Sequence, residues 1–179
     1  MKKILTVLAL LAVVAMAASV ASAGDEYTIV GVKKCGMCHK AKTGDQLGIW
    51  KKSKHAHAYE TLKGEEAIAI AKEKGLGNPW EEAECLGCHT TQHFTGAKLA
   101  AKSKYVIEEG VSCEACHGPG SAYKSRKIMK DHDAAVANGL VLPDEKFCLK
   151  CHNEKSPTFK GFDYKERWAE IAHPVPEKK

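Results

Sequence analysis

All eight cysteines of this 179-residue chain fall in four copies of one five-residue pattern, Cys-x-x-Cys-His. The copies are Cys35-Gly36-Met37-Cys38-His39, Cys85-Leu86-Gly87-Cys88-His89, Cys113-Glu114-Ala115-Cys116-His117 and Cys148-Leu149-Lys150-Cys151-His152. Two thiols three residues apart on a turn of helix reach the two vinyl groups of one porphyrin and form thioethers with them. The histidine that follows then presents its ring to the iron. A disulfide framework or a set of zinc half-sites also uses paired cysteines, but neither asks for a histidine after every second one. With only 9 His in 179 residues, a histidine at all four places is not an accident. The pattern reads as four c-type haem attachment sites. The eight cysteines are the tethers, and His39, His89, His117 and His152 are the proximal iron ligands.

Composition agrees. Residues 4–20 are one unbroken stretch of apolar and small residues behind Lys2 and Lys3, and Ala21-Ser22-Ala23 is a small-x-small cleavage pattern. This reads as a cleaved secretory signal over 1–23, with Gly24 as the mature start, and not as a membrane anchor. No other stretch is long or apolar enough to span a bilayer. Export to the periplasm or beyond suits a protein whose haem is attached outside the cytoplasm.

In the remaining 156 residues, taken as one domain over 24–179, only 26 are Leu, Ile, Val or Phe. That is below the roughly 20% under which a chain struggles to bury enough apolar surface. Four porphyrins, each a large flat apolar body, supply the missing interior. The expected fold is therefore mostly α with irregular loops, its core built around four covalently bound haems. A globule of this size has a radius of gyration of about 15 Å, so neighbouring porphyrins fall within electron-tunnelling reach. The haem propionates also offset the formal charge of +5, so its sign does not argue for nucleic acid.

The motifs are spaced irregularly, which excludes a repeat array. Between them the sequence predicts a helix from Asp45 to about Leu62 and another over 65–74, ended by Gly75. A third is led by Asn78-Pro79 and runs into Cys85. Two more are expected over 121–138, stopped by Gly139, and over 163–172, ended by Pro174. Residues 27–32 are expected to form one short strand. Trp50, Trp80, Trp168 and Phe94 are expected as porphyrin walls, and Gly118-Pro119-Gly120 as a tight turn. Lys33, Lys34, Lys40 and Lys42, with Lys124, Arg126, Lys127 and Lys130, read as solvated faces balancing propionates; docking of an acidic redox partner is the alternative.

Five histidines outside the motifs are candidates for the second axial position of four irons: His55, His57, His93, His132 and His173. Two histidine ligands suit electron transfer, and an open position binds a small molecule. His55 and His57 point about 200° apart if they share one helix, so they serve different faces. His93 lies too close behind His89 to reach the far side of the same porphyrin. His132 is expected mid-helix and His173 at a helix end, both free to serve distant haems.

The segments KKCGMCHKA, WKKSKHAHAYETL, CLGCH, GVSCEACHGPG and CLKCH, in that order, resemble the tetrahaem cytochrome c-554 family of periplasmic electron carriers. The resemblance implies a helical fold with closely packed haems. It also implies that His55 completes the third haem opposite His117, His132 the first opposite His39, and His173 the fourth opposite His152. The second haem, on His89, is then open, although this chain adds His57 and His93, either of which closes it if it reaches. The leading expectation is a periplasmic electron carrier between a donor and an acceptor redox protein. The alternatives are reduction of nitric oxide, hydroxylamine or nitrite at an open second haem, and a subunit that assembles into a homo-oligomer or filament.

Overall fold

The structure is a computed structural model that describes residues 27–173; the expected signal segment, its cleavage point and Pro174 lie outside them. Among the described residues the chain is a succession of short helices and 3-10 turns with no strand. The second and third attachment motifs lie on the helices Ala83–His89 and Cys113–His117, and the first and fourth begin at the last residue of Val32–Cys35 and Glu145–Cys148 and continue as turns.

Local signals explain where helices begin and stop. Glu65–Glu73 carries two glutamates in its first turn, where the helix dipole favours them, and stops at Gly75 with φ 68°. Tyr164–Ile171 starts where the Asp163 carboxylate accepts from the Glu166 N–H at 2.9 Å.

Three expectations are corrected. The helix expected over 45–62 is broken at Ser53, which is extended, and the chain continues as a 3-10 turn Lys54–His57 and a short helix Ala58–Thr61. The break is anchored from outside: the Val111 N–H donates to the His55 carbonyl at 3.0 Å, and Gly110 packs so closely there that a Cβ would lie 2.8 Å from that oxygen. The helix expected over 121–138 is two, Arg126–Met129 and His132–Ala137, because Ser125 and Asp131 each cap a new start. His132 therefore opens a helix instead of sitting in its middle. Residues 78–81 form a turn, and the helix that carries Cys85 begins only at Ala83.

The strand expected at 27–32 shrinks to a single parallel bridge between Ile29 and Leu99. Ile29 N pairs with the Lys98 carbonyl, but beyond it the backbone donors are taken by carboxylates. Glu114, fully buried, accepts from Val30 N at 2.9 Å and Gly31 N at 2.8 Å, and also from Gly120 N at 2.6 Å. Glu109 accepts from Val32 N at 3.0 Å. A short strand cannot pair where side chains hold its N–H groups. Glu114 lies inside the third attachment motif, so this clamp seats the first motif against the third.

The buried apolar core is small. Tyr59, Leu62 and Leu86 form its centre, with Trp80, Cys85 and Ile107 packed around them. The chain places its other buried groups next to the motifs. Thr91 and Ser112 are both fully or almost fully buried; Ser112 N donates to Thr91 Oγ1 at 2.8 Å, joining the second motif's end to the third motif's start. No helix among the described residues is long and apolar enough to cross a membrane.

Candidate haem-binding site

None of the eight cysteines forms a disulfide. The Cys35 and Cys113 thiols are within hydrogen-bonding contact, as are Cys88 and Cys151, and Cys116 is within electrostatic reach of Cys148 and Cys151. The first motif therefore meets the third and the fourth meets the second, while Ser112 and Thr91 join the third to the second. Contact with Cys113, then burial, pushes the Cys35 thiol far up; burial pushes Cys116 up to about 11 and, with Cys88 adding, Cys151 up to about 12.

Two of the motif histidines are held as a metal ligand would need to be. His89 Nδ1 donates to the Ala58 carbonyl at 2.7 Å, and His117 Nδ1 donates to the Val141 carbonyl at 3.0 Å. A carbonyl only accepts, so the proton sits on Nδ1 and the Nε2 lone pair is left for a metal. His152 stacks on Phe162 with centroids 4.6 Å apart. Burial, above all, lowers the pKa of His55, His117, His152 and His173, which keeps these rings neutral and able to ligate.

Two pairs of histidine rings lie close together, one edge-on and one tilted. His55 and His152 have centroids 6.0 Å apart, and His117 and His173 have centroids 5.8 Å apart. Two metal–nitrogen bonds of about 2 Å each, plus about 1 Å from each nitrogen to its ring centre, give about 6 Å. The chain thus leaves the spacing that one iron between two imidazoles requires, and haem fits the site. The pairing differs from the one the resemblance implies, which set His55 against His117 and His173 against His152.

The other histidines stand apart. His132 is exposed, with Nδ1 3.3 Å from the Asp133 carboxylate, and makes no ring contact with His39. His57 Nε2 donates to the Lys51 carbonyl at 3.2 Å. His93 Nδ1 donates at 2.9 Å to Thr90 Oγ1, whose own proton goes to the Leu86 carbonyl. Among the described residues no histidine ring pairs with His89 or with His39.

A family described as cytochrome c554 and c-prime matches residues 34–118. Cytochrome c-554 of Nitrosomonas europaea is 33% identical over 147 residues, 73% of this chain. The chain belongs to the cytochrome c-554 family. The match spans 60% of that relative's length. No solved structure matches the chain. The helical, strand-free architecture of the described residues suits a c-type cytochrome, and its Cys-x-x-Cys-His motifs suit covalent haem c.

Two residues in the cytochrome's site had no clear signal in the sequence. Glu114 shows only as an acid inside an attachment motif, and Glu109 as one of a pair before a glycine. Glu109 is 6% exposed, and its Oε1 has no hydrogen-bond partner. Burial, with the Glu114 charge adding and Lys33 opposing, pushes its carboxyl up from 4.5 to about 7. An acid raised on folding binds more protons folded than unfolded. Its stabilising effect is present below about pH 4.5 and fades as pH rises through about 7. The shift corresponds to at most about 3 kcal/mol. Glu109→Gln keeps an acceptor for Val32 N and removes the titration. Urea unfolding between pH 5 and 8 is expected to show a decline in the parent that the variant lacks; parallel curves would refute the assignment.

Proposed function

We propose that the cytochrome carries four haems, one on each motif, and works outside the cytoplasm as an electron carrier between two redox proteins. The closeness of the motifs is the observation that carries this reading: Cys35 meets Cys113, Cys88 meets Cys151, and Ser112 at the third motif's start bonds Thr91 at the second's end. Bound haem supplies a reversible one-electron couple at each iron. The chain's part is to hold these groups edge to edge and fix their ligands. Cys35 and Cys113 bring two tethers together, and Cys88 and Cys151 two more. His55 and His152 serve one iron in this reading, and His117 and His173 another; His132 is the distal candidate for the iron on His39. Two imidazoles at low-spin iron change little on reduction, which keeps reorganisation small.

The solitary position of His89 favours a second activity at that haem, with nitric oxide, hydroxylamine or nitrite as ligand. His57 and His93 each keep one ring nitrogen free of the bonds to Lys51 and Thr90, but neither ring meets that of His89, and in this reading the far side of that haem is left to a small molecule. Carbon monoxide added to the dithionite-reduced holoprotein tests both readings. A difference spectrum worth one haem in four is the expected result, and no change would close the second haem and leave electron transfer alone. A mass short of four haem increments, or no c-type α band, would sink the tetrahaem reading.

A further inference from the structure

The described residues include two buried acids, and only one of them is satisfied. Glu114 has both carboxylate oxygens bonded to backbone N–H groups. Glu109 has one: Oε2 accepts from Val32 N at 3.0 Å, while Oε1 is shut away from solvent with no partner. An anionic oxygen buried without a donor is costly, and a proton placed on it removes the charge.

The position of Glu109 ties it to two tethers. Val32 opens the helix Val32–Cys35, and Cys35 ends it about 4.5 Å further on, at 1.5 Å per residue. The Glu109 charge acts on the Cys35 thiol, which lies against Cys113 of the third motif. A haem attached at either motif is therefore held within the field of this carboxylate, whichever side of the first motif its porphyrin takes.

Other groups face Glu109 as well. Glu114 adds a like charge from the third motif's helix, and Lys33 opposes from the first motif's. Tyr105, on the preceding loop, feels the carboxylate too. Glu108, Lys40, Lys51 and His57 border the space beside it. Burial outweighs them and, with Glu114 adding, pushes the carboxyl up from 4.5 to about 7. The group is half protonated near neutrality, where one unit of charge gained or lost nearby moves its proton.

We propose that Glu109 takes up one proton when an electron enters the haem pair of the first and third motifs, and releases it when the electron leaves. The electron comes from the donor redox protein and turns one ferric iron ferrous, which lowers the local charge by one. Solvent supplies the proton, and an O–H bond forms at the unpaired Oε1. One electron and one proton arrive together, and oxidation returns both. The coupling is reciprocal: reduction tightens proton binding by the same factor by which the proton favours reduction. Coupled sites affect each other by about 5- to 150-fold, and at least about fivefold is expected here. Well below the titration Glu109 is neutral in both redox states, and well above it ionised in both. The reduction potential is therefore level at each end and falls between them as pH rises.

This inference rests on the first and third motifs bearing haem, and the test separates the two. Spectroelectrochemical titration of the holoprotein between pH 5 and 9 reads the potentials, and the c-type α band reports that the haems are present. At least one haem is expected to show a potential that falls with pH through about 7. Glu109→Gln, which keeps an acceptor for Val32 N and cannot titrate, is expected to hold that potential at its acid-side value throughout. Infrared difference spectra, reduced minus oxidised, read the proton in the parent without any variant. They are expected to gain a protonated-carboxyl C=O band that shifts in heavy water. A fall in potential that survives Glu109→Gln would overturn the proposal; it would assign the proton to His57 if His57→Gln abolishes the fall, and to the propionates if not. Potentials level across the range, or an infrared difference with no carboxyl band, would overturn it too. A holoprotein without an α band would instead remove the haem reading beneath it.

Discussion

Replacing His55 by alanine is expected to turn one haem of the cytochrome high-spin and to raise its carbon monoxide uptake from about one haem per molecule to about two. The affected haem is the one His152 holds. The two rings stand 6.0 Å apart with nothing bonded between them, and His55 is held in place from outside by Val111 and Gly110. The control is a protein lacking that haem through Cys148→Ser and Cys151→Ser. In that background His55→Ala should add no high-spin signal. If a new high-spin haem appears there, His55 serves His117 as the family resemblance implies, and the opposed rings mean something else. His173→Ala gives the mirror experiment on the haem of His117, whose ring lies 5.8 Å from that of His173.

The second large effect is on stability. Glu114→Ala removes the acceptor of three buried backbone donors, Val30, Gly31 and Gly120. Hydrogen bonds to a charged group contribute about 1.5–3 kcal/mol each, and a buried donor left without a partner costs the desolvation as well. The expected loss is roughly 4–6 kcal/mol, a large part of the about 5–15 kcal/mol that holds a typical domain together. Urea unfolding of the holoprotein gives the size. Hydrogen exchange gives the place, because the amides of Val30 and Gly31 should lose protection before those of Ala83–His89. A loss under about 1 kcal/mol would mean that water replaces the carboxylate and that the clamp is incidental.

The attachment motifs were legible because their chemistry is local: two thiols and an imidazole within five residues. Helix ends were legible where one residue decides them, as Gly75 and Asp163 do. Ser125 and Asp131 also announced two helix starts, and the single helix expected over 121–138 overlooked them. The strand at 27–32 could not be refused from sequence, since the groups that undo it, Glu109 and Glu114, lie far along the chain. The same holds for the ring pairs. Nothing near His55 or His173 in sequence says which motif histidine its ring will lie beside, and the neighbours seen, His152 and His117, are not the partners the family likeness implies. The carbonyls of Ala58 and Val141, which set the proximal tautomers, carry no side-chain signal at all.

The clamp at Glu114 also bears on how such a protein is made. The first motif is synthesised well before residue 114, yet its seat in the fold is built from that residue and from the turn at Gly120. Until the third motif arrives, the segment holding Cys35 and Cys38 has no fixed neighbour, and its thiols stand open to whatever loads them. Once Glu114 closes on Val30 and Gly31, the Cys35 thiol is set against Cys113, while Cys38 stays exposed. The order of synthesis thus leaves the first cofactor a period of access that the finished fold withdraws, and a chain that folded too early would shut out its own haem.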